Sequence, residues 1–284
     1  MRYFFLLLLL ASTLFPFNID IYTSEIANGK TTVLEFKKEK NIQYTKVVLA
    51  KKNYKIYQHP SDAKKLYSLI PINYYKKPTN LKAKVFYEEN GNIKTKTFFF
   101  KVIDGQYKKE NIKVQKSKVT LNKKDKKRAS IEYKEAMSIY NHATNKSYIS
   151  SKFITPMQSK ITSSFGKARV YNNTLKGYHS GTDYRAKIGT PIIASNSGKI
   201  VLVKDRFYSG GSVIIDHGHG IYTCYYHMSK FSIKKGAFVK KGEVIGLSGV
   251  SGRVTGPHLH FSARVGGEQV DPLQLIKLIN KNLF

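Results

Sequence analysis

The 284-residue chain carries 49 Lys and Arg residues against 18 Asp and Glu residues, which gives a formal net charge of +31. Its hydrophobic content of 41% is ordinary for a globular protein and excludes a mainly disordered chain. Such a charge favours polyanionic partners, which include nucleic acid, anionic lipid and acidic cell-wall polymers. Because no basic block is interleaved with a nucleic-acid motif, we expect no nucleic acid among the partners.

The N-terminal segment has the pattern of a secretory signal. Arg2 is followed by an apolar run over residues 3–17, with Leu6–Leu10 at its centre. One positive charge before a hydrophobic core predicts a signal peptide over residues 1–19. The run contains no charged residue, so an uncleaved anchor that associates the chain with a membrane is the alternative. Under either interpretation we expect an exported protein.

Residues 20–107 are predicted to form a small antiparallel β-sandwich of immunoglobulin-like size. Two early runs, residues 31–36 and 44–50, alternate in polarity or are β-branched, as strands do. The region contains no plausible catalytic cluster. His59, beside a proline, is predicted to be a solvated loop residue.

The clearest local signal in this region is a hairpin. Residues 81–87 and 93–102 flank the pair Asn90-Gly91. This pair tolerates positive φ at both central positions of a tight turn, which is the strongest short-range hairpin signal. We therefore predict two long antiparallel strands joined at this turn.

Residues 108–152 are predicted to be a charged linker that contains a helix. Its first part shows only a short apolar alternation, at Ile112 and Val114. Residues 123–142 then carry apolar side chains at near-helical spacing, which are Ile131, Ala136, Ile139 and Tyr140. A face rich in Lys and Glu lies opposite, so the pattern predicts an amphipathic helix.

Residues 153–284 are predicted to form an all-β domain, so the chain is expected to be mainly β. Glycine becomes frequent, and short predicted strands cover residues 160–165, 190–194, 199–203, 212–216, 222–227, 244–247 and 258–265. Many short strands with Gly-rich turns indicate a barrel or a sandwich. Residues 272–278 are predicted to close the chain with a short helix.

Cys224 is the only cysteine, so the exported chain has no internal disulfide. A lone cysteine is usually a small buried hydrophobe. If residues 221–227 form a strand with His227 facing a site, Cys224 faces the other way. We therefore do not expect Cys224 to bind a metal.

Two histidine motifs are the main functional signal. In Gly256-Pro257-His258-Leu259-His260, a β-strand would point both histidines toward one face. Upstream, His179 and Asp183 stand four residues apart in His-Ser-Gly-Thr-Asp. Gly181 and the β-branched Thr182 argue against a helix there, so we expect a loop that runs into a strand.

These residue types are those of a catalytic zinc, which takes three protein ligands and leaves one position open for water. His179, Asp183 and His260 offer nitrogen, oxygen and nitrogen atoms, and zinc lowers the pKa of its bound water toward neutrality. His258 and His227 would then serve as a general base and an electrostatic stabiliser. Strand parity alone leaves open which of His258 and His260 is the ligand.

Other histidines have simpler interpretations. His217 and His219 flank Gly218 in a tight turn, and we predict that they build the turn. Asp216 is predicted to cap the same turn, with orientation of a metal ligand as the alternative.

Residues 158–275 resemble the lysostaphin/LytM-type zinc metallopeptidases. The matching motifs are Ser164-Phe165-Gly166, residues 179–183, Gly189-Thr190-Pro191, residues 215–220, Thr223, Tyr225, His227-Met228-Ser229, residues 240–246, residues 252–260 and Val270-Asp271-Pro272. The resemblance implies one zinc ion held by His179, Asp183 and His260, with His258 and His227 as the catalytic pair. It also implies an antiparallel β domain over residues 153–284, an open groove, and hydrolysis of peptide cross-links in peptidoglycan.

The preceding region resembles, more loosely, that of exported Gram-negative two-domain members. This likeness implies a periplasmic endopeptidase that remodels the cell wall at the D-Ala–meso-diaminopimelate bond, with peptidoglycan stems as the partner. The net charge of +31 predicts an anionic wall polymer as a second partner. From the size of the N-terminal half and the charged helical linker, we expect this half to cover or shape the groove and restrain hydrolysis. Three departures from the family pattern touch no predicted ligand: Met228, Val250 and Ser262.

Two other functions fit parts of the sequence. Residues 198–201 and 235–246 resemble the barrel pattern of biotinyl or lipoyl carriers and of adaptor proteins, but that pattern does not explain the histidine motifs. A catalytically silent, wall-binding activator of other hydrolases is the second alternative. Bound metal and cleavage of peptidoglycan separate both from the enzyme.

Overall fold

The computed structural model describes residues 19–21, 25–173 and 175–284, and the protein is mainly β. The predicted signal segment lies, except for Ile19, outside the described residues. Within the described part of the chain, no helix is long and apolar enough to cross a membrane.

The N-terminal half is a sandwich of two sheets. Its strands are β1 (Ile19–Ile21), β2 (Glu25–Ala27), β3 (Thr31–Lys37), β4 (Ile42–Leu49), β5 (Lys52–Lys55), β6 (Tyr57–Gln58), β7 (Lys65–Pro71), β8 (Thr79–Glu89) and β9 (Asn92–Ile103). One sheet has the order β1-β3-β7-β6 and the other β2-β9-β8-β4-β5. The inward side chains form one apolar core that includes Leu34, Val47 and Phe100. The sandwich is therefore confirmed, but β2 runs parallel to β9, so it is not antiparallel throughout.

The predicted hairpin is confirmed. Strands β8 and β9 pair antiparallel along their whole length, from Thr79 opposite Val102 to Glu89 opposite Asn92. Asn90 and Gly91 adopt φ values of 51° and 79°. Both lie in the left-handed region that this residue pair tolerates.

The predicted linker is wrong in its first part. Strand β10 (Lys109–Ile112) pairs in parallel with β12 (Ala168–Tyr171), which pairs in turn with β13 (Leu175–Tyr178). The chain therefore forms a small third sheet that ties the segment to the C-terminal half. The pairing joins residues far apart in sequence, and no local pattern reports such a partner.

The helix in this segment is confirmed. A short 3-10 turn (Lys116–Lys118) precedes α1 (Lys123–Tyr140). Asn122 caps α1 by accepting a hydrogen bond from the Asp125 amide. Ala136 and Tyr140 of α1 pack against the C-terminal sheet, beside Cys224.

The C-terminal half is built on one ten-stranded, largely antiparallel sheet with the main order β11-β14-β21-β18-β17-β16-β19. Its strands are β11 (Ile161–Ser163), β14 (Thr182–Arg185), β15 (Pro191–Ile193), β16 (Gly198–Arg206), β17 (Gly210–Asp216), β18 (Ile221–Phe231), β19 (Phe238–Val239), β20 (Val244–Ser248), β21 (His258–Val265) and β22 (Glu268–Val270). Asp271 caps α2 (Pro272–Asn282), which is longer than predicted.

The two halves share a buried interface. Val33, Tyr67 and Leu69 of the sandwich pack against the sheet and against α2, where Ile279 is fully buried. His59 belongs to this interface and is only 5% exposed, so the predicted solvated loop residue is wrong. Its Nε2 lies 3.2 Å from the Asn282 carbonyl oxygen at the end of α2, a partner that the local sequence does not indicate.

Candidate active site

Three neighbouring strands bring the predicted site residues together. Strand β21 lies between β14 and β18, with Asp183 opposite His260 and His260 opposite Tyr226. Residues directly opposite in a sheet share a face, so these side chains converge on one side. His179 reaches the same place from the loop before β14, as predicted.

The donor atoms of the predicted ligands form a tight triangle. His179 Nε2 and His260 Nδ1 each lie 2.9 Å from Asp183 Oδ1 and 3.1 Å from one another. All three residues are buried and form a group suited to a metal ion. Two imidazole nitrogens and one carboxylate oxygen facing a common point fit the ligand set of zinc.

Hydrogen bonds fix the orientation of His179. Its Nδ1–H donates to the Ser164 carbonyl at 2.7 Å, so the lone pair of Nε2 faces the triangle. The loop that follows passes directly over His260. A Cβ at Gly181 would stand 2.4 Å from the Phe261 carbonyl oxygen and 2.5 Å from His260 Nε2, so only glycine allows this approach.

Asp183 is held by an arginine that sequence analysis missed. Arg169 Nη2 lies 3.4 Å from Asp183 Oδ2, while Arg169 Nε donates to Glu110 at 2.6 Å. Glu110 also pairs with Lys167 at 3.1 Å. Glu110 comes from β10, inside the predicted linker, and Arg169 from β12, so the third sheet supplies the contacts behind the triangle.

The electrostatics favour metal-binding protonation states. Burial opposes ionisation of Asp183, but the contacts with the His179 and His260 rings outweigh it and hold the carboxyl pKa well below its usual range. Burial lowers the pKa of His260 to about 4, despite the opposing Asp183. At neutral pH the group therefore presents a carboxylate and a neutral imidazole, the forms that bind metal.

His227 and His258 flank the triangle, with their ring centroids 4.8 Å apart. The Nδ1–H of His227 donates to the Ser251 carbonyl, and that of His258 to the Gly256 carbonyl, each at 2.8 Å. Each ring therefore keeps Nε2 as a proton acceptor, and His258 Nε2 lies 3.6 Å from Asp183 Oδ1. The structure brings all five predicted residues into one site, and the division into ligands and catalytic pair stays a prediction.

The parity argument for Cys224 is wrong. Cys224 lies opposite Ser262, on the sheet face that also carries His260. His227 departs from the alternation because its φ is 64°, a left-handed conformation that turns its ring toward the site. Cys224 is fully buried under α1, where its sulfur lies 3.3 Å from Tyr140 Oη, and it does not join the triangle.

The remaining predicted turn residues build structure. His217 is buried, with Nδ1 2.8 Å from the Ser197 carbonyl oxygen and Nε2 2.7 Å from Thr223 Oγ1. His219 Nδ1 accepts from Tyr67 Oη at 2.8 Å, across the interface between the halves. Asp216 caps the turn by accepting from the Gly218 amide. The prediction of turn architecture is therefore confirmed.

A cleft of about 150 Å³ opens over the triangle, and its described lining comes entirely from residue 169 onward. No described residue of the N-terminal sandwich lines it. Ser262 lies outside the lining as well, and it donates to the Ser180 carbonyl at 3.0 Å. This hydrogen bond supports the loop that passes over the triangle.

A histidine–aspartate–histidine group with two further imidazoles in a cleft of a β-sheet defines a metallopeptidase-type centre. Residues 177–272 match the sequence model described as Peptidase family M23. All five site residues fall within this match. Residues 177–272 are therefore similar to peptidase family M23 domains, as the motifs predicted.

Three proteins of similar sequence come from different bacteria. The chain is 43% identical over 122 residues to Peptidoglycan DD-endopeptidase ShyA of Vibrio cholerae, covering 42% of this chain and 28% of that protein. It is 45% identical over 97 residues to DD-carboxypeptidase/endopeptidase Mpg of Neisseria meningitidis, covering 34% and 22%. It is 40% identical over 107 residues to Lysostaphin of Staphylococcus staphylolyticus, covering 36% and 22%. The chain thus spans less than a third of each relative.

A solved structure matches nearly the whole chain. A crystal structure of a peptidase M23 from Pseudomonas aeruginosa superposes with a TM-score of 0.65 at 24% identity, covering 88% of this chain and 94% of that one. This likeness concerns the fold, and it extends over the N-terminal sandwich as well as the peptidase domain.

Proposed function

We propose that this chain is a zinc-dependent peptidoglycan hydrolase that cleaves peptide cross-links at the D-Ala–meso-diaminopimelate bond during cell-wall remodelling. The observation that carries the proposal is the complete group of His179, Asp183 and His260 with His227 and His258 beside it. Relatives named as peptidoglycan DD-endopeptidases support the substrate class. The proposal places the protein in the periplasm, which the apolar N-terminal segment supports.

The ligand triangle would hold the metal through His179 Nε2, Asp183 Oδ1 and His260 Nδ1. When bound, zinc supplies Lewis-acid chemistry that polarises a carbonyl and acidifies water. His258 Nε2 accepts a proton from the water that attacks the peptide carbonyl, because its Nδ1–H is committed to Gly256. The C–N bond then breaks, and His258 returns the proton to the leaving amine.

His227 has a complementary role in this mechanism. Burial lowers the pKa of its imidazole well below the usual value, and the neighbouring His260 and His258 add to the effect. A neutral His227 ring, fixed by its bond to Ser251, offers Nε2 to orient the attacking water. Its left-handed backbone conformation is a local strain of the kind that functional sites retain.

The net charge of +31 supports retention on anionic wall polymers, in addition to the binding of peptide stems in the cleft. Membrane association through the N-terminal apolar segment would keep the enzyme close to the inner membrane. Both would act on location and leave the chemistry of the cleft unchanged.

A silent activator is the competing proposal, and the intact ligand set favours the enzyme over it. The test is mass analysis of the fragments that purified protein releases from cross-linked peptidoglycan, with metal content measured in the same preparation. We expect one zinc per chain, new uncross-linked muropeptides, and loss of release on chelation. Binding to peptidoglycan without stoichiometric zinc or fragment release would refute the enzyme and favour the activator.

A further inference from the structure

One basic side chain in the cleft has no role in the mechanism above. Arg253 lines the same cleft as His179, His227 and His260. Its guanidinium carbon lies 4.3 Å from the centroid of the Tyr171 ring and 4.5 Å from that of Tyr208. The two rings fix the position of the cation by cation–π attraction.

The stacking leaves the hydrogen-bonding edge of Arg253 available. A guanidinium carries its N–H donors in its plane, so rings packed against it leave a planar fork for a carboxylate. The carboxylates behind the site, Glu110 and Asp183, pair with Arg169 instead. Among the described residues, no acidic side chain forms an ion pair with Arg253.

The backbone ties Arg253 to the catalytic machinery. Its amide donates to the Tyr208 carbonyl at 2.8 Å, which joins the loop after β20 to the loop before β17. Two residues earlier, the Ser251 carbonyl accepts the hydrogen bond that orients His227. A group bound to Arg253 is therefore held at a fixed place relative to the reacting atoms.

We propose that Arg253 is a specificity-determining residue that binds a substrate carboxylate next to the scissile amide. In a D-Ala–meso-diaminopimelate cross-link, the carbon that bears the leaving amine also carries a carboxylate. The Arg253 guanidinium could bind this carboxylate through two parallel hydrogen bonds within the small cleft. The inference rests on the proposed function for the identity of that carboxylate. A half-buried cation that has no acidic partner in the described part of the chain gains most from an anion supplied by the substrate.

The test compares two cross-linked muropeptides, one with the diaminopimelate carboxylate free and one with it amidated. For the wild type we expect kcat/KM to be roughly 10- to 100-fold higher on the free acid, as for a hydrogen bond to a charged group. Arg253→Gln should lose that preference by falling on the free acid to the level of the amide. Arg253→Lys should keep part of it, because a point charge replaces the fork.

Controls separate recognition from structure. Arg128→Gln removes the same charge from α1, where Arg128 pairs with Glu132 and Asp205, and should leave the preference unchanged. Equal losses on both substrates in Arg253→Gln would assign Arg253 a structural role and overturn the inference. A wild type that cleaves both substrates equally well would overturn it too.

A binding measurement distinguishes failure of this inference from failure of the proposed function. A diaminopimelate-containing tripeptide, free or amidated, is titrated calorimetrically into wild type and Arg253→Gln. Tighter binding of the free acid by wild type alone supports the role of Arg253, even if no cross-link is cleaved. Equal binding of both forms by wild type would reject the role even in an active hydrolase.

Discussion

The two halves of the molecule each bury a histidine next to a carboxylate, with opposite consequences. In the N-terminal sandwich, His59 Nε2 lies 3.9 Å from Glu35 Oε1, and Lys65 lies 2.9 Å from Glu35 Oε2. Both ring nitrogens of His59 have partners in the protein, since the Ser61 amide donates to Nδ1 and Nε2 contacts the Asn282 carbonyl. This cluster therefore joins the two halves, and both ring nitrogens of its histidine are engaged within the protein.

The peptidase half uses the same residue types differently. Each imidazole of the site donates at most one hydrogen bond to a backbone carbonyl. Its other nitrogen faces a common point or the cleft. Both clusters bury histidine beside a carboxylate. The difference is the convergence of unshared electron pairs, and it makes only one of them a site.

The largest expected effect contrasts the two carboxylates. Asp183→Ala removes the oxygen shared by both ligand histidines, so we expect zinc and peptidoglycan cleavage to be lost together. Glu35→Ala should retain zinc and activity while lowering the free energy of unfolding by about 1–3 kcal/mol. Metal analysis, fragment release and denaturant unfolding measure the three quantities. Loss of zinc in Glu35→Ala would show that the clusters are not independent.

The second-largest expected effect distinguishes the roles of His258 and His260, the two histidines of β21. His258→Ala should keep zinc, because His258 Nδ1 is committed to Gly256, while the cleavage rate falls roughly 10²–10⁴-fold. His260→Ala is the matched variant and should lose both zinc and rate. If His258→Ala also empties the metal site, the division between ligand and base is wrong.

A smaller effect is expected from the support behind Asp183. Glu110→Gln keeps the shape of the side chain but removes a negative charge that offsets Arg169 beside a site for a dication. Zinc affinity should fall roughly 10-fold or more, as for other groups that orient metal ligands. Competition with a chelating dye measures the change. Glu135→Gln, which breaks the surface pair with Lys204, serves as control, and equal affinity in both variants would exclude support by Glu110.

Glu110 also shows where sequence analysis reaches its limit. The hairpin at Asn90-Gly91, helix α1 and the histidine motifs were predictable, because a local turn, a periodicity or a spacing encodes each. Strand β10 was taken for a linker, because its parallel partner β12 lies far along the chain. The ligand set came from the motifs and the family resemblance, whereas Arg169 and Glu110 depend on that distant pairing and carry no local signal.

The course of strand β18 is a second feature that the sequence did not predict correctly. Strict alternation placed Cys224 and His227 on opposite faces, but the positive φ of His227 breaks the alternation at the residue that matters most. The cleft over the triangle is lined by the peptidase half, whereas residues 110–113 also line the neighbouring cavity beside Asp183 and His258. Restraint of hydrolysis by the N-terminal half therefore stays a prediction, and any such restraint would act through the shared interface.

The smallest expected effect concerns the turn that the two halves share. Burial lowers the pKa of His217 to about 4, against an ordinary value of 6.5. Below pH 6.5 the unfolded chain therefore binds a proton that the folded chain does not. The stability that this residue contributes is complete above that pH and is lost as the pH falls toward 4.

Denaturant unfolding at two pH values measures this contribution. Between about pH 7.5 and about pH 5, His217 should account for about 2 kcal/mol of the lost unfolding free energy. His217→Gln removes the titrating ring, so its pH dependence should be flatter by that amount even if it is less stable at neutral pH. Taking the difference between the two proteins cancels the titration of the site histidines. Equal pH slopes would mean that His217 titrates normally in the folded protein, contrary to its burial against Ser197 and Thr223.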